Sequence, residues 1–205
     1  MFDLPPAVPA IEFSISSTGM SKGAAQTEGP QALFRGEIAS GPVYLGAYAK
    51  NVTSSSAKGE AAALIGFRTE ASGFEFGASA AWKRAIDPAP GSDSNALEVV
   101  TFASRRVGRL TPRLSVTWSP DDLGSTGRTT YAEMGASYRV TKAISASAAI
   151  GARERTGGLD YRAWNAGLAW VPVKRVTLDL RYYDTDRGSD HPFRARMVAS
   201  ARLKL

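Results

Sequence analysis

Ser55-Ser56-Ala57-Lys58 places a serine three residues before a lysine, the spacing that acyl-serine enzymes use to activate a nucleophile. That chemistry needs the serine to open a buried helix, and here the motif sits in a polar stretch, so the spacing reads as coincidence. His191 is the only imidazole in the chain and stands beside Asp190 and near Asp186, as a general base would. A lone histidine among Gly, Ser and Asp is more simply a solvated one. Asp184, Asp186 and Asp190, and separately Asp121 with Asp122, offer oxygen ligands for Ca²⁺, but no Glu follows at calcium-loop distance, so they read as loop carboxylates. Cysteine is absent, which excludes a disulfide framework, a thiolate metal site and a Cys nucleophile. Asn51-Val52-Thr53 is a glycosylation sequon only in a eukaryotic secretory setting. The expectation is a protein without catalytic residues, metal or cofactor.

The remaining chemistry lies in charges spread singly along the chain, and their placement depends on the elements that carry them. From Phe193 to Leu205 the odd positions are Phe193, Ala195, Met197, Ala199, Ala201, Leu203 and Leu205, with Arg194, Arg196, Ser200, Arg202 and Lys204 between them. This is a period of two; at helical spacing the same residues would mix Phe193, Arg196, Ser200 and Lys204 on one face. The pattern recurs upstream. Val176, Leu178, Leu180 and Tyr182 oppose Asp179 and Arg181; Trp164, Ala166, Leu168 and Trp170 interleave with Asn165 and Gly167; Phe74, Phe76 and Trp82 oppose Glu75 and Lys83. Segments around residues 32–40, 61–70 and 95–106 alternate less cleanly.

About twelve such segments are predicted, separated by connections that are alternately longer and shorter. The longer ones fall near Gly19 to Pro30, Thr53 to Gly59, Ile86 to Asn95, Asp121 to Arg128, Arg155 to Gly158 and Arg187 to His191. An even-stranded transmembrane barrel has this rhythm, with tight turns and both termini on the periplasmic side. The fold class predicted is all-β, an antiparallel up-and-down transmembrane β-barrel. Residues 1–10 are assigned to an N-terminal periplasmic extension and 11–205 to the barrel. Met1 to Ala10 has neither a basic start nor an apolar core, so it is no secretory signal; for an exported protein the leader is taken as removed.

One face of the predicted barrel carries Arg35, Lys50, Arg68, Glu75, Lys83, Arg113, Glu133, Arg139, Arg153, Asp179, Arg181, Arg194, Arg196 and Arg202. Only a wet or ion-paired lumen hosts so many charges cheaply, so these are the candidate pore-lining residues, and cations outnumber anions among them. A soluble sandwich alternates as well, but its second face would not form a dry core with these side chains. The longest charge-free stretch, Ile38 to Ala49, contains Gly and Pro and is far short of the about twenty apolar residues of a spanning helix. The net charge of +6 raises nucleic acid as a partner, yet no basic run with interleaved aromatics is present, and none is expected to bind.

The stretch Ser21-Lys22-Gly23-Ala24-Ala25-Gln26-Thr27-Glu28-Gly29-Pro30 resembles the Phe-Arg-Gly-x-Ser-Gln-Thr-Asp-Gly segment of the TorF porin family, and Ala49-Lys50-Asn51-Val52 is similar to that family's Ala-Ser-Asn-Val. Ser21, Lys22 and Ala25 stand where the family has Phe, Arg and Ser. The chain also ends on Leu205 where many outer-membrane barrels present an aromatic residue. The resemblance implies an outer-membrane barrel with a pore. On this reading the partners are outer-membrane lipid and lipopolysaccharide, the barrel-insertion machinery during assembly, and small polar or anionic solutes crossing passively. A filled structural or adhesive barrel is the first alternative, and an enzyme built on the loop rim the second.

Overall fold

The computed structural model describes residues 6–54, 57–124, 127–188 and 191–205. Ser55 and Ser56 of the serine–lysine motif, and Asp190, lie outside them. The strands are β1 (Val8–Ser16), β2 (Met20–Ser21), β3 (Ala24–Ala25), β4 (Gln31–Ser40), β5 (Val43–Ser54), β6 (Ala57–Ala71), β7 (Phe74–Ile86), β8 (Asn95–Arg105), β9 (Leu110–Asp122), β10 (Gly127–Arg139), β11 (Ile144–Arg155), β12 (Tyr161–Trp170), β13 (Val176–Thr185) and β14 (Arg196–Lys204). Twelve of them, β1 and β4 to β14, close into a single antiparallel barrel in chain order, while β2 and β3 form a small hairpin in the first loop. Closure is made by β1 against β14, from Glu12 opposite Lys204 to Ser16 opposite Ser200. The predicted class and strand number are those observed.

The alternation that drove the reading follows from the pleat. Leu45, Ile65, Trp82, Leu114, Met134, Leu168 and Leu180 project outward and are exposed, forming a continuous apolar outer surface. Segments that alternated weakly, β4, β6 and β8, do so because their inward positions include Leu33, Leu64, Val100 and Phe102, which blur the polar register. The inner wall also uses glycine beneath aromatic rings. Tyr44 lies directly opposite Gly66, and Phe102 opposite Gly77. A Cβ on Gly66 would come within 2.2 Å of the Tyr44 ring, and one on Gly77 within 2.2 Å of Phe102. Each ring therefore lies flat across its neighbour's backbone, the device by which an aromatic compensates a strand glycine.

Three expectations are corrected. First, β1 begins at Val8, so Val8, Pro9 and Ala10, assigned to the extension, already pair with Ala39, Ile38 and Glu37 of β4. That stretch has a ladder neighbour on one side only, where a proline without N–H is tolerated. Second, the connection placed at Thr53 to Gly59 is mostly strand, since β5 runs to Ser54 and β6 starts at Ala57. Third, Phe193 and Arg194 do not continue β14. Phe193 is buried against Tyr161, their ring centroids 4.9 Å apart, and Arg194 is exposed in the preceding connection. The period of two there persisted by chance beyond the strand.

Candidate functional site

The first loop does not arch over the rim. After β1 it turns into the mouth at the long-loop end, and Lys22-Gly23, with φ of +51° and +80°, makes the two-residue turn of the β2–β3 hairpin. Both values are those a type I′ hairpin demands. Gly23 has a second reason to be glycine: an added Cβ would sit 2.2 Å from the Ala163 Cβ on β12. The loop is stapled at its base by the fully buried Thr27, whose hydroxyl accepts from the Gly19 amide at 2.7 Å and donates to the Gly29 carbonyl at 2.5 Å. The Thr53 amide donates to Gln26 O at 2.9 Å and the Ala25 amide to Pro192 O at 3.1 Å. On the β12 side the Tyr161 hydroxyl donates to the Lys22 carbonyl at 2.8 Å.

Lys22 reaches half-way round the barrel. Its Nζ lies 2.7 Å from Glu98 on β8 and 2.8 Å from Asp122 on β9. Lys83 bridges the same two carboxylates at 3.2 and 3.1 Å, and Arg153 meets Asp122 at 3.0 Å. Beside this group Lys50 pairs with Glu60 at 3.3 Å, and the Tyr48 hydroxyl donates to Glu60 at 2.6 Å. Asp122, Lys83 and Glu60 are buried, so water does little to screen these pairs and each charge depends on its partners. The network and hairpin together form a constriction, with a cavity of about 300 Å³ on its loop side bounded by Lys22, Glu60, Lys83 and Arg153.

Beyond the constriction the lumen widens into a cavity of about 620 Å³ and an adjoining one of about 350 Å³, with Glu75 and Arg113 on both. Two guanidinium groups at the larger cavity sit over aromatic rings, Arg68 over Tyr44 and Arg113 over Phe102, each 4.0 Å from the ring centroid. Arg68 also pairs with Glu37, which takes Arg35 at 3.3 Å. In the smaller cavity Arg181 is held by Asp179 at 3.1 Å and by Asn165 and Ser147 at 2.7 Å each. Near the short-turn end Glu12 lies 3.6 Å from Arg202 and 3.7 Å from Lys204.

Of the residues singled out from the sequence, Arg35, Lys50, Arg68, Glu75, Lys83, Arg113, Glu133, Arg153, Asp179, Arg181, Arg196 and Arg202 occupy inward positions of their strands. Arg139 is exposed at the end of β10. Arg196 meets backbone carbonyls of Arg194 and Pro192 instead of a carboxylate. Sequence reasoning missed Lys22, Glu37, Glu60, Glu98 and Asp122, and with them the pairing that neutralises most of the inner cations. Among the described residues Arg113 has no ion-pair partner. Asp121 and Asp122, considered together as calcium ligands, point to opposite sides of β9, one exposed and one buried. Asp184 accepts from the Tyr182 hydroxyl and Asp186 from the Arg162 amide. No group of three metal-ligating side chains occurs among the described residues.

No family model and no curated protein matches the chain. Solved structures do. A KdgM porin in complex with disordered oligogalacturonate aligns over 95% of this chain and 98% of its own, at 10% identity and a TM-score of 0.67. The barrel has the porin fold. The NanC porin aligns over 96% of this chain and 98% of its own at 6% identity and a TM-score of 0.61. An outer-membrane channel from Pseudomonas putida covers all of this chain and 96% of its own at 10% identity and a TM-score of 0.52. At such identities the shared property is the closed barrel, and the side chains inside it are this chain's own.

Proposed function

We propose that this chain is a porin-like channel of the bacterial outer membrane, akin to the TorF family, that passes small polar or anionic solutes passively and does no covalent chemistry. The observation that carries the reading is the inversion of the barrel's two faces: exposed aliphatic and aromatic side chains outside, ion-paired charges and cavities inside. Such an outer face needs hydrocarbon around it, and such an interior needs water. The anionic preference rests on Arg113, whose guanidinium is presented to both lumen cavities without a carboxylate partner. The bound oligogalacturonate of the KdgM complex is an acidic chain in a barrel of this fold, which supports the same solute class.

The test is single-channel current from refolded protein in a planar bilayer under a salt gradient. Discrete steps with a reversal potential favouring chloride are expected, and Arg113→Glu should weaken or invert that preference while leaving the protein folded. Silent bilayers from fully folded, heat-modifiable protein would leave the second reading, a non-conducting structural barrel, which the buried Lys22–Asp122 network across the mouth specifically favours. The membrane assignment has its own check. Leu168, exposed on β12 between the outward Trp164 and Trp170, should cost about 2–4 kcal/mol when replaced by Arg in lipid-vesicle unfolding titrations. A change near zero would mean that this face does not meet hydrocarbon.

A further inference from the structure

Three consecutive short turns on one side of the barrel carry only positive charge. Counting the strand residue that enters each, the β8–β9 turn holds Arg105, Arg106 and Arg109, the β10–β11 turn Arg139 and Lys142, and the β12–β13 turn Lys174 and Arg175, with no Asp or Glu in any of them. All seven are exposed, and none forms an ion pair among the described residues. The turns are one surface: the Arg139 amide donates to the Arg109 carbonyl at 2.9 Å, and the Val171 amide to Ala143 O at 2.9 Å. The remaining short turns, at residues 41–42 and 72–73, carry no charge.

Directly against this rim the outer wall is dented. Small side chains at Ala103, Ala136 and Ala148, between Leu114, Met134 and Ile150, leave an apolar groove of about 660 Å³ that ends at Arg105. Arg105 does not float free there, because its guanidinium lies 4.9 Å from the Phe74 ring centroid. An apolar trough capped by a fixed guanidinium, with further arginines beside it, matches a molecule with an alkyl chain at one end and a phosphate at the other. Guanidinium groups recognise phosphate oxygens in pairs, and several in one turn give that recognition without a carboxylate competing.

We infer that this face binds an anionic phospholipid, one acyl chain lying in the groove over β8 to β11 and the headgroup phosphate on Arg105, Arg106 and Arg109. The inference rests on the reading of the barrel as membrane-embedded, and places the lipid in the leaflet at the short-turn side.

The experiment is native mass spectrometry of the refolded full chain from mixed micelles containing phosphatidylglycerol and phosphatidylethanolamine of identical acyl chains, after flotation with vesicles of the same lipids. Retention of phosphatidylglycerol over phosphatidylethanolamine by roughly fivefold or more is expected. Arg105→Gln with Arg106→Gln and Arg109→Gln should abolish the preference, whereas Arg128→Gln with Arg162→Gln, at the opposite rim, should leave it intact. Ala136→Leu, which fills the groove and leaves every charge, should reduce retention of both lipids. Equal retention of the two lipids, an unchanged preference in the triple variant, or displacement by glycerol phosphate as effective as by whole lipid would overturn the site. A chain that inserts into vesicles yet shows any of these refutes the lipid site alone; a chain that floats with neither vesicle refutes the membrane reading together with it.

Discussion

Excising the hairpin that crosses the mouth should at least about double the single-channel conductance. The geometry suggests a clean cut, because the Gln26 amide donates to the Gly19 carbonyl at 2.7 Å and already pinches the loop base together. Replacing Met20–Ala25 by Gly-Gly therefore removes Lys22 and the loop tip while retaining Thr27 and its hydrogen bonds. Asp122 keeps Lys83 and Arg153, and Glu98 keeps Lys83, so no carboxylate of the network is left alone. A rise in conductance with unchanged ion preference would identify the hairpin as the narrowest part of the path and leave selectivity to Arg113 below it. Conductance equal to the parent protein would place the restriction in the ion-paired wall itself.

Asp122→Ala should produce the largest loss of stability of any single substitution in the lumen. It takes a partner from the buried Lys83 and the half-buried Arg153, and leaves Lys22 with Glu98 alone. Arg153 is the most exposed to this change, since its Nε already has no hydrogen-bond partner and its other contact, to the Tyr161 hydroxyl, is 3.4 Å long. Breaking a buried pair from one side costs about 3–5 kcal/mol. The cost is read from denaturant titration of the refolded barrel and from the temperature at which the compact band is lost on gels. Asp122→Leu combined with Lys83→Met should recover part of it, because an apolar pair removes one of the two stranded cations, Lys83, and leaves only Arg153 without its carboxylate. If Asp122→Ala were neutral, water would have to reach the network freely.

The outer face was legible because it is apolar along whole strands, as contact with hydrocarbon in the proposed membrane setting requires. A side chain such as Leu168 or Trp82 cannot be swapped for a charge without cost, so the period of two survives along whole strands. The lumen was half legible. Arg113 and Arg181 alternate with apolar neighbours and were found, but Glu98 and Glu60 sit in strands whose inward positions also hold alanine, leucine and valine, and their alternation is lost. Asp122 was hidden differently, since Pro120-Asp121-Asp122-Leu123-Gly124 has the composition of a turn. In the structure β9 runs through Asp122, and a register shift against β10 turns Asp122 inward where unbroken alternation from Ser119 would have pointed Asp121. Phe193 shows the opposite error, a residue in phase with β14 that belongs to the mouth.

No periodicity announces where a loop goes. Gly19 to Pro30 reads as a polar connection of ordinary composition, and only the contacts of Lys22 and Gly23 with strands far along the chain reveal that it turns inward. The family-like segment, Ser21 to Pro30, shares residues 21–25 with the buried hairpin and continues through its stapled base at Thr27. That coincidence joins the sequence resemblance to a physical role for the Lys22 position, where a long cation must reach Glu98 and Asp122 across the lumen.

The hairpin's reach also fixes an order of events in assembly. Lys22 meets Asp122, one hundred residues later, and Tyr161, one hundred and thirty-nine residues later, while Ala25 is held by Pro192. None of these partners is in place while the early strands are forming, and contacts so distant in sequence are the slow ones to make. A segment that precedes eleven of the twelve barrel strands is thus the last to find its seat, waiting until β12 and the residues before β14 have come round. Its burial is a timestamp of completed closure, which protease resistance of residues 20–25 would record during refolding.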